Sequence, residues 1–175
     1  MEFAEGETLR KKIEKKLLNE KIATNIFSKI LEGLDALHNL RGDGDDKGII
    51  HRDLKPENII VDDNLNIKIL DYGISKIIDF TSITSTGSIM GSPLYMSPEQ
   101  ITDSKNIDKR SDLYTLGVIF YEMLTNELPY SFNSLPELYD KIKNSHPTPP
   151  RQFANTLNNS LENIILKLLE KEPYK

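Results

Sequence analysis

His51-Arg52-Asp53-Leu54-Lys55-Pro56-Glu57-Asn58 places a carboxylate, a cation and an amide within six residues of one another. Apolar Ile49 and Ile50 lead into it and Ile59-Ile60-Val61 leads out. A polar turn, Asp62-Asp63-Asn64, separates that run from Ile67-Lys68-Ile69-Leu70, so two short strands form a hairpin. Asn58 stands at the entry to the hairpin and Asp71, which opens Asp71-Tyr72-Gly73, at its exit. Thirteen residues apart in sequence, the two are brought to the same end. Further on comes a third short run, Ser97-Pro98-Glu99.

The chain around these runs reads as mainly helical. Thr8 caps a helix through its side-chain oxygen, and Leu9, Ile13 and Leu17 recur as one apolar stripe with Lys and Glu on a solvated face. Ile22, Ile26, Phe27, Ile30, Leu31, Leu34 and Leu37 form a second stripe that ends near His38. The polar stretch 39–47 fails as a calcium loop. Lys47 occupies a ligand position, and Leu54 stands where the bidentate glutamate belongs. That stretch is expected to be a surface excursion. Residues 74–96 have little periodicity and many hydroxyls. Ser111 and Asp112 then open Leu113, Tyr114, Leu116, Val118, Ile119, Phe120, Tyr121, Met123 and Leu124, a helix apolar on nearly every face and so expected to be buried all round. Two more helices are expected over 136–143 and 160–171, joined through the rigid connector His146-Pro147-Thr148-Pro149-Pro150.

Composition narrows the function classes. A chain of 175 residues suggests one domain and can bury roughly 70% of its unfolded surface. The net charge is −5 and no lysine/arginine block stands out, so nucleic-acid or anionic-membrane binding has no electrostatic support. The absence of cysteine excludes a disulfide framework, a thiolate metal site and a cysteine nucleophile, and fits a cytoplasmic protein. No apolar run reaches the ~18–20 residues of a membrane span, and 1–6 lacks the pattern of a signal peptide.

Taken in order, the three runs resemble the C-terminal lobe of a eukaryotic-like serine/threonine protein kinase, and the resemblance covers nearly all 175 residues. H-R-D-x-x-x-x-N is that family's catalytic loop, here 51–58. The resemblance implies a mainly α lobe, α+β by family, built as a helical bundle around a buried central helix with a small β-hairpin at the catalytic loop. It implies that 1–6 is hinge-like, with backbone groups near Glu2 and Ala4 bonding adenine, and that 71–99 is an activation segment.

The resemblance also implies roles. The reaction is transfer of the γ-phosphate of ATP, with Mg²⁺, to serine or threonine hydroxyls of a protein substrate. Asp53 accepts the hydroxyl proton, and Lys55 lies beside the moving phosphate as a compact positive charge. Asn58 and Asp71 supply hard oxygens to Mg²⁺. A lysine at position 55 is what points to serine/threonine rather than tyrosine acceptors. Arg52 receives a phosphate placed on the activation segment, for which Thr84, Ser85, Thr86 and Ser88 are best situated. Ser92 bonds the catalytic Asp and Lys, and Glu99 closes the docking floor. His51 and Tyr72 stack in a regulatory spine, Asp112 caps the buried helix and holds the catalytic-loop backbone, and Ile60 closes over adenine from below, supported by Ile119 and Met123.

The 175 residues contain no G-x-G-x-x-G, no V-A-I-K-like lysine and no partnering helix glutamate, all of which precede the hinge in the family. Lys171-Glu172-Pro173-Tyr174-Lys175 stops one residue before the arginine that pairs with Glu99 in the family, so Glu99 is expected to lack its partner. The chain therefore reads as a partial kinase domain without its N-lobe, expected to be inactive alone. An N-lobe or partner protein would cover an exposed apolar face above Ile60. The alternative is a non-catalytic, kinase-like binding or regulatory module.

Overall fold

The computed structural model describes residues 5–16, 18–40, 48–70, 92–102 and 107–172. Among the described residues, six α-helices and one small sheet make the fold. The strands are β1 (Glu7–Thr8), β2 (Ile59–Val61) and β3 (Ile67–Ile69). The helices are α1 (Leu9–Glu14), α2 (Glu20–His38), α3 (Pro98–Thr102), α4 (Arg110–Thr125), α5 (Leu135–Asn144) and α6 (Asn159–Leu168).

The sheet order is β1-β2-β3, antiparallel throughout. The expected hairpin is present, with Ile59 opposite Ile69 and Val61 opposite Ile67. Its turn is closed by Asp62, whose carboxylate accepts from the backbone amides of Asn64 and Asn66. The third strand, β1, pairs Glu7 with Val61 and Thr8 with Ile60. Two residues carry no readable period, so it is invisible in sequence.

α1 is capped by Thr8, which accepts from the Lys11 amide. It ends at Glu14, and Lys16 takes a left-handed φ of 52°; Leu17 lies outside the described residues. Leu9 and Ile13 are buried as expected. α2 is capped by Asn19 and buries Ala23, Ile26, Ile30, Leu34 and Leu37. Leu31 is 39% exposed and lies off that face. α4 is buried along nearly its whole length and packs on both α2 and α6. Phe120 stacks on Phe27 of α2 with ring centroids 4.3 Å apart. The core therefore runs along α4, and the 51–58 loop rests on the first turn of this helix.

Among the described residues the exposed large apolar side chains are Leu31, Leu40, Ile49, Phe153 and Ile164. Ile60 is half-buried in the middle of the sheet. No described helix is long and apolar enough to cross a membrane.

Candidate active site

The loop 51–58 is held by its backbone. Asp112, 1% exposed on α4, accepts from the amides of His51 at 2.8 Å and Arg52 at 3.0 Å. Its Oδ2 also accepts from His38 Nε2 at 2.7 Å. Three donors satisfy a carboxylate that burial alone would penalise heavily. Helix α4 begins three residues earlier than the cap reading requires, its N-cap position being Lys109, and Asp112 lies in its first turn with its carboxylate spent on the loop rather than on its own helix. Arg52 has a φ of 65°, a left-handed conformation that a non-glycine residue adopts only when its surroundings enforce it. Gln100 of α3 completes the enforcement, its Nε2 donating to the Arg52 carbonyl at 2.8 Å. The Arg52 side chain is left exposed.

The chemistry-bearing side chains then converge. Lys55 Nζ lies 3.1 Å from Asp53 Oδ2, with side chains 19% and 14% exposed. A 3₁₀ turn, Pro56–Asn58, folds the chain back so that Asn58 Nδ2 donates to the Asp53 carbonyl at 3.0 Å. That bond uses the nitrogen end of the amide. The Leu70 amide donates to the Asn58 carbonyl at 2.8 Å, which brings the residue before Asp71 against Asn58. The His51 ring, fully buried, donates from Nε2 to the Leu70 carbonyl at 3.2 Å. A carboxylate to take a proton, an ammonium to neutralise an anion and a fixed amide oxygen thus share one partly open site.

Beside it lies the segment 92–100, tied to the loop through Gln100. Ser92–Tyr95 is a 3₁₀ turn, and Thr115 of α4 donates to the Tyr95 carbonyl at 2.8 Å. Glu99, expected to lack a partner, accepts a hydrogen bond from the Ser111 hydroxyl. The phenol of Tyr95 meets Glu122 of α4 and Arg10 of α1. Burial, and next the charge of Glu122, push the Tyr95 phenol well above its ordinary pKa. Near the end of the chain Lys171 lies 4.4 Å from the Tyr130 ring and 5.9 Å from the Tyr114 ring, and burial pulls its ammonium down to about 8.

A protein kinase domain model matches residues 1–175 in full. The chain belongs to the protein kinase domain family. Similar proteins include a probable serine/threonine-protein kinase of Clostridium perfringens, 38% identical over 99% of this chain and 24% of that protein. Another is the serine/threonine-protein kinase pkn3 of Myxococcus xanthus, 38% identical over 99% of this chain and 32% of that protein. The serine/threonine-protein kinase PrkC of Bacillus subtilis is 35% identical over 99% of this chain and 26% of its own length. The chain thus spans about a quarter to a third of the length of these relatives.

Of the residues singled out in the sequence of this kinase chain, the structure brings Asp53, Lys55 and Asn58 together and sets His51, Arg52 and Asp112 directly behind them. Ile60 lies in the middle of β2, away from the loop's own contacts. Glu2, Ala4, Asp71, Tyr72, Thr84, Ser85, Thr86, Ser88 and the loop 41–47 lie outside the described residues, as does the side chain of Ser92. Sequence reading passed over His38, Gln100, Arg10, Tyr95 and Glu122. One signal was available. Glu122 lies in a helix buried on every face, so it had to have a cationic partner.

Proposed function

We propose that this chain is the C-lobe half of a serine/threonine protein kinase catalytic domain, which uses ATP and Mg²⁺ to phosphorylate serine or threonine side chains of a protein substrate. The observation that carries this reading is the Asp53–Lys55–Asn58 cluster on a loop whose backbone is fixed by the buried Asp112. Asp53 takes the proton of the attacking hydroxyl, and Lys55 stabilises negative charge on the group in transit. Lys55 in contact with Asp53 also supports an aliphatic hydroxyl as acceptor.

The residues fit a magnesium–nucleotide complex. Asn58 offers an amide oxygen, oriented by the bond from its own nitrogen to Asp53. Asp71 follows one residue after Leu70, which is bonded to Asn58. Among the described residues no group of three His, Asp or Glu side chains could hold a metal. One amide and one carboxylate, completed by phosphate oxygens and water, is the way Mg²⁺ is commonly held. The metal, when bound, neutralises phosphate charge. This chain's own residues orient the acceptor and move its proton. The loop 1–6 acts as the hinge beneath adenine through Glu2 and Ala4, with Ile60 below the ring. Segment 71–99 is the activation segment, regulated through Arg52 and the hydroxyls at 84–88.

The test uses a chimera in which the small lobe of the Bacillus subtilis relative, with its phosphate loop and strand lysine, is joined ahead of this chain. We expect phosphate on serine and threonine of a generic protein substrate. Asp53→Ala should slow transfer by about 10²–10⁴-fold. An Asp53→Ala chimera as fast as its parent would overturn the assignment. The 175-residue chain by itself should stay near its own Asp53→Ala control, because the motifs that grip the phosphates from above are not in it.

A further inference from the structure

Arg10 belongs to α1, which carries none of the residues assigned to the reaction, yet its guanidinium joins three other elements. Nε donates to Glu57 Oε1 at 2.9 Å, in the 3₁₀ turn between Lys55 and Asn58. Nη1 donates to Glu122 Oε1 at 2.7 Å in the last turn of α4. Nη2 reaches Glu122 Oε2 at 3.3 Å and the Tyr95 hydroxyl, which itself donates to Glu122 Oε2 at 2.7 Å. The Arg10 and Glu122 side chains are only 20% and 10% exposed. Burial opposes the charge on Arg10, but the hydrogen bond to Glu122 and the neighbouring charges outweigh it and raise its pKa.

This geometry lies between the two halves of the site. Glu57 is part of the turn that presents Asn58 against Asp53. Tyr95 ends the turn 92–95 and is fastened to α4 at its carbonyl as well as at its hydroxyl. We propose that Arg10 is a positioning residue for phosphotransfer. Its fork fixes the separation between the 53–58 loop and the 92–95 turn, on which residues flanking the acceptor hydroxyl would rest. The functional part of this inference rests on the kinase reading above.

Charge alone does not meet the requirement. The three partners diverge across three elements, and a planar guanidinium offers donors in fixed directions that a single ammonium does not. The neutral partner, Tyr95, is held by direction and not by charge.

The experiment is amide hydrogen exchange on the 175-residue chain, which does not depend on catalysis and so can fail separately from the kinase reading. In Arg10→Lys, which keeps the positive charge that the buried Glu122 requires, segments 53–58 and 92–96 should both exchange about tenfold faster, with α2 unchanged. In Arg10→Met, millimolar methylguanidinium should slow both segments again and methylammonium should not. Native exchange in both segments of Arg10→Lys would overturn the proposal, because charge would then suffice. Equal acceleration in α2 would also overturn it, because the role would then be global. Arg10→Lys decides the matter alone if Arg10→Met does not fold.

Discussion

Asp112 shows how much of the site one side chain fixes. It sits 61 residues beyond His51 in sequence, and its carboxylate takes the His51 and Arg52 amides together with the ring of His38. The site residues themselves, Asp53, Lys55 and Asn58, are legible because they lie within one short run whose order is chemically distinctive. Their supports are not. His38 reads as the end of a helix, and Arg10 reads as part of a charged face, because each is defined by a partner more than 40 residues away. Tyr95 carries a pH consequence. Burial, and then Glu122, hold its phenol well above the ordinary value, and burial does the same to Tyr114 and Tyr130. Unfolded tyrosine titrates at about 10, so above that pH the folded chain holds protons that the unfolded chain has released. Stability is therefore full below about pH 10 and falls above it, by up to about 1.4 kcal/mol per pH unit for Tyr95. Urea midpoints for Tyr95→Phe should fall less steeply above about pH 10 than those of the parent. Parallel slopes would contradict this.

Helices α2, α4, α5 and α6 are legible to within one to three residues at each end, because their apolar periods are long. β1 and α3, at two and five residues, are too short to carry a period. α1 ends at Glu14, just before Lys16 turns left-handed. The packing of α4 on α6 depends on a residue with no side chain. A Cβ on Gly117 would lie 2.7 Å from Leu168 Cβ. Alanine favours the helix by about 1 kcal/mol over glycine, but overpacking a tight contact costs about 1–3 kcal/mol. The clash here is with a β-carbon close to the backbone, which has little room to give, so we expect Gly117→Ala to destabilise by about 1–2 kcal/mol. A urea midpoint equal to or above the parent's would show that α6 moves aside freely.

For the molecule as a whole, sequence alone conveys a helical body with a buried axial helix and a small sheet beside the loop that carries the chemistry. How the loop, α1 and the segment 92–100 are locked to that axis depends on ion pairs and backbone strain, which leave no pattern in sequence. Asn58 is set against Asp53 and against the residue before Asp71, so the nucleotide–metal floor should exist in this chain even where transfer is slow. Its most direct test is thermal unfolding with a non-hydrolysable ATP analogue, with and without Mg²⁺. At about tenfold over Kd, analogue and Mg²⁺ together should raise the midpoint by about 3–6 °C. Neither alone should do so, and Asp71→Ala should abolish the shift. An absent shift at millimolar analogue, or one that persists without Mg²⁺ or in Asp71→Ala, would contradict a kinase phosphate site in this chain.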